Sequence, residues 1–315
     1  MTVTGTHVIG LGHYQPEKVL TNEDLAKIVD TNDEWITSRV GIKERRIAEK
    51  ETVADMATYA AQKALTASGR TAADIDMVVV ATCTAVDRVP NIACRVADQL
   101  NIEAPGALDV NTACSGFTHA LATADHAIRA GAATTAIVVG VEKLSDFTDW
   151  TERSTCVLFG DGAGAAVITA TDDDKPGVGP VVWGSVPKMS DVVRIEATHP
   201  YVSQEGQTVF RWAITSLAPL ARKAAERAGV DMDDITAFVA HQANLRIIEG
   251  IAKKLKAPNA IIASDVVESG NTSAASVPLA LSKLAESGQI KTGDPVLLFG
   301  FGGGLTYAGQ VIHCP

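Results

Sequence analysis

Ala73-Asp-Ile-Asp-Met-Val-Val-Val-Ala-Thr82 reads as a turn leading into a short apolar strand. Asp233-Asp-Ile-Thr-Ala-Phe-Val-Ala-His-Gln242 repeats it 160 positions later. The same offset relates Asn111-Thr-Ala-Cys-Ser115 to Asn271-Thr-Ser-Ala-Ala275, and Ile137-Val-Val-Gly140 to Leu297-Leu-Phe-Gly300. Three matches at one spacing predict two copies of a single unit. Further strands are expected at 165–169 and 295–300, and helical periodicity marks 53–69, 91–100, 114–130, 209–228, 244–256 and 274–287. Short buried strands alternating with helices imply an α/β layered fold. The acidic, Pro/Gly-bearing stretch 171–180 is the expected linker, which divides the chain into units of 1–172 and 173–315.

The 315 residues are 46% hydrophobic and 20% charged, and no apolar run reaches the ~18 residues that a membrane helix needs. A formal net charge of −10 argues against nucleic acid as the main partner. The first residues carry neither a basic segment nor a cleavage site, and five cysteines without metal-type spacing suit a reducing, cytoplasmic setting.

The repeats coincide in backbone pattern and differ in reactive side chains: Cys114 matches Ala274, and His241 matches Ala81. Leu108-Asp-Val-Asn-Thr-Ala113 reads as the end of a strand, and the residues from Cys114 onward read as the opening of a helix. A thiol there lies near unpaired N–H groups that stabilise a thiolate, although a small buried apolar residue would read the same way. His241 follows a strand, at the end where ligands gather in α/β folds; a core or capping histidine fits equally. Gly270-Asn-Thr-Ser273 is also ordinary turn chemistry. If a pseudo-twofold axis relates the halves, however, Asn271 converges on Cys114 and His241. Gly160-Asp-Gly-Ala-Gly164 and Gly300-Phe-Gly-Gly-Gly304 match neither dinucleotide nor phosphate-loop spacing. The second can bring a backbone N–H close to an anionic oxygen. On the helix from Asn244, Arg246 and Lys253 share the face opposite the apolar stripe and either complement the helix dipole or dock an acidic partner.

Asp109-Val-Asn-Thr-Ala-Cys-Ser-Gly-Phe117, His241-Gln-Ala-Asn-Leu-Arg246, Gly270-Asn-Thr-Ser-Ala-Ala-Ser276 and Phe301-Gly-Gly-Gly304 together resemble β-ketoacyl-acyl-carrier-protein synthase III. Asn32-Asp-Glu-Trp-Ile-Thr-Ser-Arg-Val-Gly-Ile42 and Phe159-Gly-Asp-Gly-Ala-Gly164 extend the likeness, which runs from about residue 7 to 313. The resemblance implies a thiolase-like αβαβα five-layer fold with internal duplication and a homodimer. It further implies condensation of a primer acyl-CoA with malonyl-acyl carrier protein, with no cofactor beyond the CoA thioester and no metal. On this chain it makes Cys114 the nucleophile and His241 and Asn271 the decarboxylation site, with Gly303 and the Cys114 N–H as the oxyanion hole. It places Trp35 and Arg153 about the adenine, Arg39 at the diphosphate, and Asn244, Gln207 and Phe210 along the CoA arm. Arg211, Arg246, Lys253 and Lys254 match its carrier-docking face.

Asn271 departs from the Cys-His-His elongating synthases. The segment Phe301–Tyr307 lacks the second cysteine of biosynthetic thiolases, and Gly303 stands where chalcone-type synthases have proline. Val40 replaces a common threonine beside the CoA arm. Val89 replaces a phenylalanine that closes the acyl pocket across the dimer, which implies tolerance of branched or four-carbon primers. A starter-unit ketosynthase or acyltransferase of a polyketide pathway would use the same residues. A non-catalytic acyl-carrier binding protein of the same fold would have no need of an intact Cys-His-Asn set.

Overall fold

The computed structural model describes residues 5–173 and 177–315, so part of the linker expected at 171–180 lies outside the described residues. In chain order the first half comprises β1 (Gly5–Tyr14), β2 (Val19–Thr21), α1 (Asn22–Leu25), α2 (Asp33–Val40), β3 (Glu44–Arg46) and α3 (Val53–Ser68). It continues with β4 (Met77–Ala81), α4 (Ile92–Gln99), β5 (Gly106–Val110), α5 (Gly116–Arg129), β6 (Thr135–Lys143), α6 (Arg153–Cys156) and β7 (Asp161–Thr171). After it come β8 (Val182–Ser185), β9 (Val193–Glu196), β10 (His199–Gln204), α7 (Gly206–Ala228), β11 (Ala237–Ala240) and α8 (Leu245–Leu255). The chain ends with β12 (Ile261–Ile262), α9 (Val266–Ser269), α10 (Ser276–Glu286), β13 (Pro295–Gly302) and β14 (Thr306–His313).

Two five-stranded sheets result, ordered β5-β4-β6-β7-β1 and β12-β11-β13-β14-β8. Strand by strand they are copies: β4–β6 and β11–β13 pair parallel, while β6–β7 and β13–β14 pair antiparallel. Even the register repeats, since Met77 opposite Ala136 becomes Ala237 opposite Val296, both shifted by 160. The offset seen in the sequence is therefore a structural symmetry.

Alternate residues of β4 face opposite ways, as a strand buried on both faces requires. Val78 and Val80 join α3 and α4 in an outer apolar layer, whereas Val79 and Ala81 join α5 and α10 between the sheets. Phe238 and Ala240 of β11 turn to an outer layer under α7 and α8. The stack is thus α3/α4, sheet, α5/α10, sheet, α7/α8, with α3 started by a Thr52–Asp55 capping box. No helix among the described residues is long and apolar enough to cross a membrane.

The centre is crowded where the halves meet. A Cβ on Gly140 would lie 2.3 Å from the Ala274 carbonyl, and one on its counterpart Gly300 would lie 2.9 Å from the Ser115 Cα. Each sheet thus receives the turn that begins the other half's central helix.

Candidate active site

Cys114 sits between β5 and α5. The sequence suggests a helix opening at the cysteine, but Ala113–Ser115 form a single 3-10 turn and the α-helix begins two residues later. Ala113 has φ 46° and Ser273, 160 residues on, has φ 45°. Two non-glycine residues thus hold left-handed backbone at matching places, a strain that persists only where packing enforces it. Gly302 leaves room for the sulfur: a Cβ there would lie 2.6 Å from Cys114 Cβ and 2.8 Å from its Sγ.

Burial pushes the Cys114 thiol above its ordinary value, and the nearby Glu142 carboxylate adds to this. Ser273 and the N–H groups of Gly303 and of Cys114 itself pull it back in part. The net direction corrects the expectation that the helix start would leave a ready thiolate. Glu142 is fully buried and receives Thr84 Oγ1 at 2.7 Å, Thr82 Oγ1 at 3.1 Å and the Cys83 N–H at 3.1 Å. Burial nevertheless raises its pKa, as it does that of the Cys83 thiol, which donates to it at 3.2 Å.

His241 follows β11, its N–H donating to the Phe299 carbonyl at 2.8 Å. The ring is 2% exposed, edge-on to Phe301 with centroids 5.2 Å apart, and its Nδ1 lies 2.8 Å from Ser276 Oγ. Desolvation lowers its pKa to about 3, which keeps the imidazole neutral. Asn271 is held by a parallel bridge to Phe159, with its N–H donating to Leu158 and its carbonyl accepting from Gly160. The Asn271 Oδ1 accepts the Ser273 N–H at 2.9 Å, which leaves the amide NH2 free to donate.

Cys114, His241, Asn271 and Gly303 line one cavity of about 470 Å³, with Asn244 on its wall. Its outer part is built by the β9–β10 hairpin and the start of α7, through Val193, Arg194, Val202 and Gln204. Sequence reasoning missed this wall, because the hairpin carries no chemical motif. Gln207 is exposed at the first turn of α7, and Gln204 lines the cavity in its stead. Phe210 lies beneath the Arg246 guanidinium, 5.4 Å from its centroid. Trp35 has Arg153 over its ring at 4.9 Å and Arg39 at 5.7 Å, while Arg153 also donates to the Asp30 carbonyl. Val40 packs in the apolar cluster behind Trp35. Arg211, Arg246, Lys253 and Lys254 are exposed on α7 and α8. Val89 is 85% exposed and does not line the cavity of a single chain.

A duplicated five-layer α/β scaffold with thiol, imidazole and carboxamide in one cavity defines a condensing enzyme of the thiolase-like class. Residues 108–187 match the family model for 3-oxoacyl-[acyl-carrier-protein] synthase III, and residues 225–314 match the model for its C-terminal part. Beta-ketoacyl-[acyl-carrier-protein] synthase III 4 of Streptomyces coelicolor is 63% identical over 99% of both chains. The Aquifex aeolicus synthase III is 42% identical, covering 98% of this chain and 99% of its own. A crystal structure of the Aquifex protein superposes with TM-score 0.94, at 98% of this chain and 100% of that one. The priming β-ketosynthase of the R1128 polyketide biosynthetic pathway superposes with TM-score 0.96 at 39% identity, covering 99% of this chain and 97% of that one. The chain belongs to the β-ketoacyl-[acyl-carrier-protein] synthase III family, whose members are condensing enzymes of the acyltransferase type.

Proposed function

We propose that this enzyme condenses a primer acyl-CoA with malonyl-acyl carrier protein in two half-reactions, giving 3-oxoacyl carrier protein, CoA and CO2 and so initiating fatty acid synthesis. One observation carries the reading: a thiol, two hydrogen-bond donors and a pair of backbone N–H groups share a single cavity. In the first half-reaction the Cys114 sulfur bonds the acyl carbon, the carbon–sulfur bond to CoA breaks, and CoA departs with a proton. The N–H groups of Cys114 and Gly303 take the carbonyl oxygen as it becomes anionic. In the second, malonyl loses CO2 and its thioester oxygen becomes an enolate oxygen, received by His241 Nε2–H and Asn271 Nδ2–H. The enolate carbon attacks the acyl group, a carbon–carbon bond forms, and the sulfur of Cys114 leaves. No step asks for a cofactor or a metal. Incubation with radiolabelled acyl-CoA and malonyl carrier protein tests the reading; absence of labelled 3-oxoacyl product overturns it.

The pKa directions give the pH dependence its sign. Acylation needs the thiolate of a thiol that burial holds above its ordinary value, so its rate climbs as pH rises through neutrality. Decarboxylation needs a neutral imidazole, and a pKa near 3 keeps His241 neutral on acidification. Single-turnover rates for the two steps therefore diverge: acylation rises with pH, while decarboxylation stays flat between about pH 5 and 8.

Trp35 and Arg153 form the adenine clamp, with Arg39 at the diphosphate. The Arg153 guanidinium lies 4.9 Å over the Trp35 ring, against the face on which a base would stack. Arg153→Ala raises KM for acyl-CoA about fivefold with kcat nearly unchanged, as loss of one exposed cation–π partner predicts. Arg211, Arg246, Lys253 and Lys254 offer an exposed basic face to the acidic carrier protein. A homodimer paired through the edge strand β5 would cover the exposed Val86 and Val89 and bring Val89 to the partner's acyl pocket. The small side chain leaves space for isobutyryl or butyryl primers. Val89→Phe shifts relative kcat/KM toward acetyl-CoA by about tenfold or more, read by competition between primers. Five free cysteines agree with a cytoplasmic setting.

The likeness to the R1128 priming ketosynthase favours a second reading, starter-unit synthesis for a polyketide. Assay against carrier proteins of both pathways separates them by kcat/KM.

A further inference from the structure

The internal symmetry identifies a residue that the triad reading leaves out. Subtracting 160 from His241 gives Ala81, and subtracting it from Ser276 gives Gly116. In the first half these two touch: a Cβ on Gly116 would lie 3.0 Å from the Ala81 Cβ. In the second half the same pair of positions carries an imidazole and a hydroxyl, with Nδ1 and Oγ 2.8 Å apart. The duplicate that lacks a histidine lacks the serine as well.

Hydrogen-bond accounting shows what the hydroxyl does. Ser276 is fully buried at the start of α10, and its Oγ accepts the Gln242 N–H at 3.2 Å. Its one hydrogen has a single acceptor within reach among the described residues, His241 Nδ1. Were Nδ1 itself protonated, it would donate to Ser276 and leave the hydroxyl hydrogen buried without a partner. With Nδ1 accepting, the one hydrogen of a neutral ring lies on Nε2, the nitrogen without a protein hydrogen-bond partner among the described residues.

We infer that Ser276 is a positioning residue that fixes the Nε2–H tautomer of His241, so that the imidazole meets the malonyl-derived enolate as a hydrogen-bond donor. This rests on the proposed condensing reaction for its purpose, but the placement of the proton stands independently of it. Ser276 touches no reacting atom, and the transfer of the primer to Cys114 does not pass through it.

Three measurements on the whole chain test the inference. In protein labelled with 15N-histidine, the His241 ring has a protonated Nε2 and a bare Nδ1, and in Ser276→Ala the bare-Nδ1 signature is lost or mixed with the other tautomer. Decarboxylation of malonyl-CoA by Ser276→Ala falls roughly a hundredfold, the scale of one misplaced donor. Single-turnover acylation of Cys114, followed by intact mass, stays within about twofold, since that step does not use the Nε2 hydrogen. Ser276→Thr keeps the hydroxyl and restores both the spectrum and most of the rate; Ser276→Gly, the residue of the other half, does not. A wild-type ring protonated on Nδ1, unchanged decarboxylation in Ser276→Ala, equal loss of both half-reactions, or failure of threonine to rescue overturns the inference. Should wild-type enzyme neither acylate nor decarboxylate, the condensing reading fails, while the ring spectrum still decides where the proton lies.

Discussion

Replacing Cys114 by alanine reduces transfer of an acyl group from CoA thioesters by at least about 10³-fold, to the background that binding and the oxyanion donors alone sustain. No other thiol can take its place. Cys83 lines the same cavity, but it is bonded to the buried carboxylate of Glu142, and both burial and that charge hold its proton on. Cys156 and Cys314 are buried in apolar clusters and Cys94 lies on the surface. Cys114→Ala should leave malonyl decarboxylation measurable, because His241, Asn271 and the backbone N–H groups remain. The two half-reactions, assayed separately as CoA release and CO2 release, therefore respond differently to one substitution. Parallel collapse of both would mean that the alanine disturbs the fold around Gly302, against which the sulfur packs.

The second large effect is the converse. His241→Ala and Asn271→Ala each lower decarboxylation by about 10²–10³-fold, the loss expected for one donor to a developing oxyanion. The double variant costs less than the product of the two, because the proposed mechanism has both groups serve one oxygen. Acylation suffers less, since the proposed mechanism gives its oxyanion to the N–H groups of Cys114 and Gly303. His241→Ala removes a buried ring and leaves Ser276 without an acceptor, so it lowers stability as well. Asn271→Ala breaks the turn bond to the Ser273 N–H. Thermal melts of each variant separate that loss from the catalytic one. The result that contradicts the assignment is an Asn271→Ala enzyme that melts normally and decarboxylates at the wild-type rate.

Much of this arrangement is legible in the chain itself. The offset of 160 residues, read from short strand motifs, recurs as sheet order and strand register. It brings Cys114 and Asn271 together because the turns beginning the two central helices meet at the centre. Other features are hidden for physical reasons. Strand β1 does not read as a strand because Gly10 and Gly12, poor strand formers, are needed where α3 packs within 2.4 Å of their absent Cβ positions. Cys114 reads as a helix start because a 3-10 turn and a first α-turn share one residue pattern. The support of Asn271 by Phe159 joins segments 112 residues apart, and only tertiary structure can show it. The hairpin that walls the cavity holds Arg194, Glu196, His199 and Ser203, but at no spacing that forms a chemical motif. Ser276, by contrast, lies one residue past the repeated Asn271–Ala275 motif, and extending the alignment that far exposes its mismatch with Gly116.

The central claim is that Cys114 carries the acyl group between the two substrates. Mass spectrometry of the intact protein after exposure to a mixture of acetyl-, butyryl- and isobutyryl-CoA, followed by peptide mapping, addresses it without any assumption about pathway. The account predicts one acyl group per chain, on the peptide containing Cys114, discharged when malonyl carrier protein is added. An unmodified protein, or an adduct on Cys83 that malonyl carrier protein does not discharge, would contradict it.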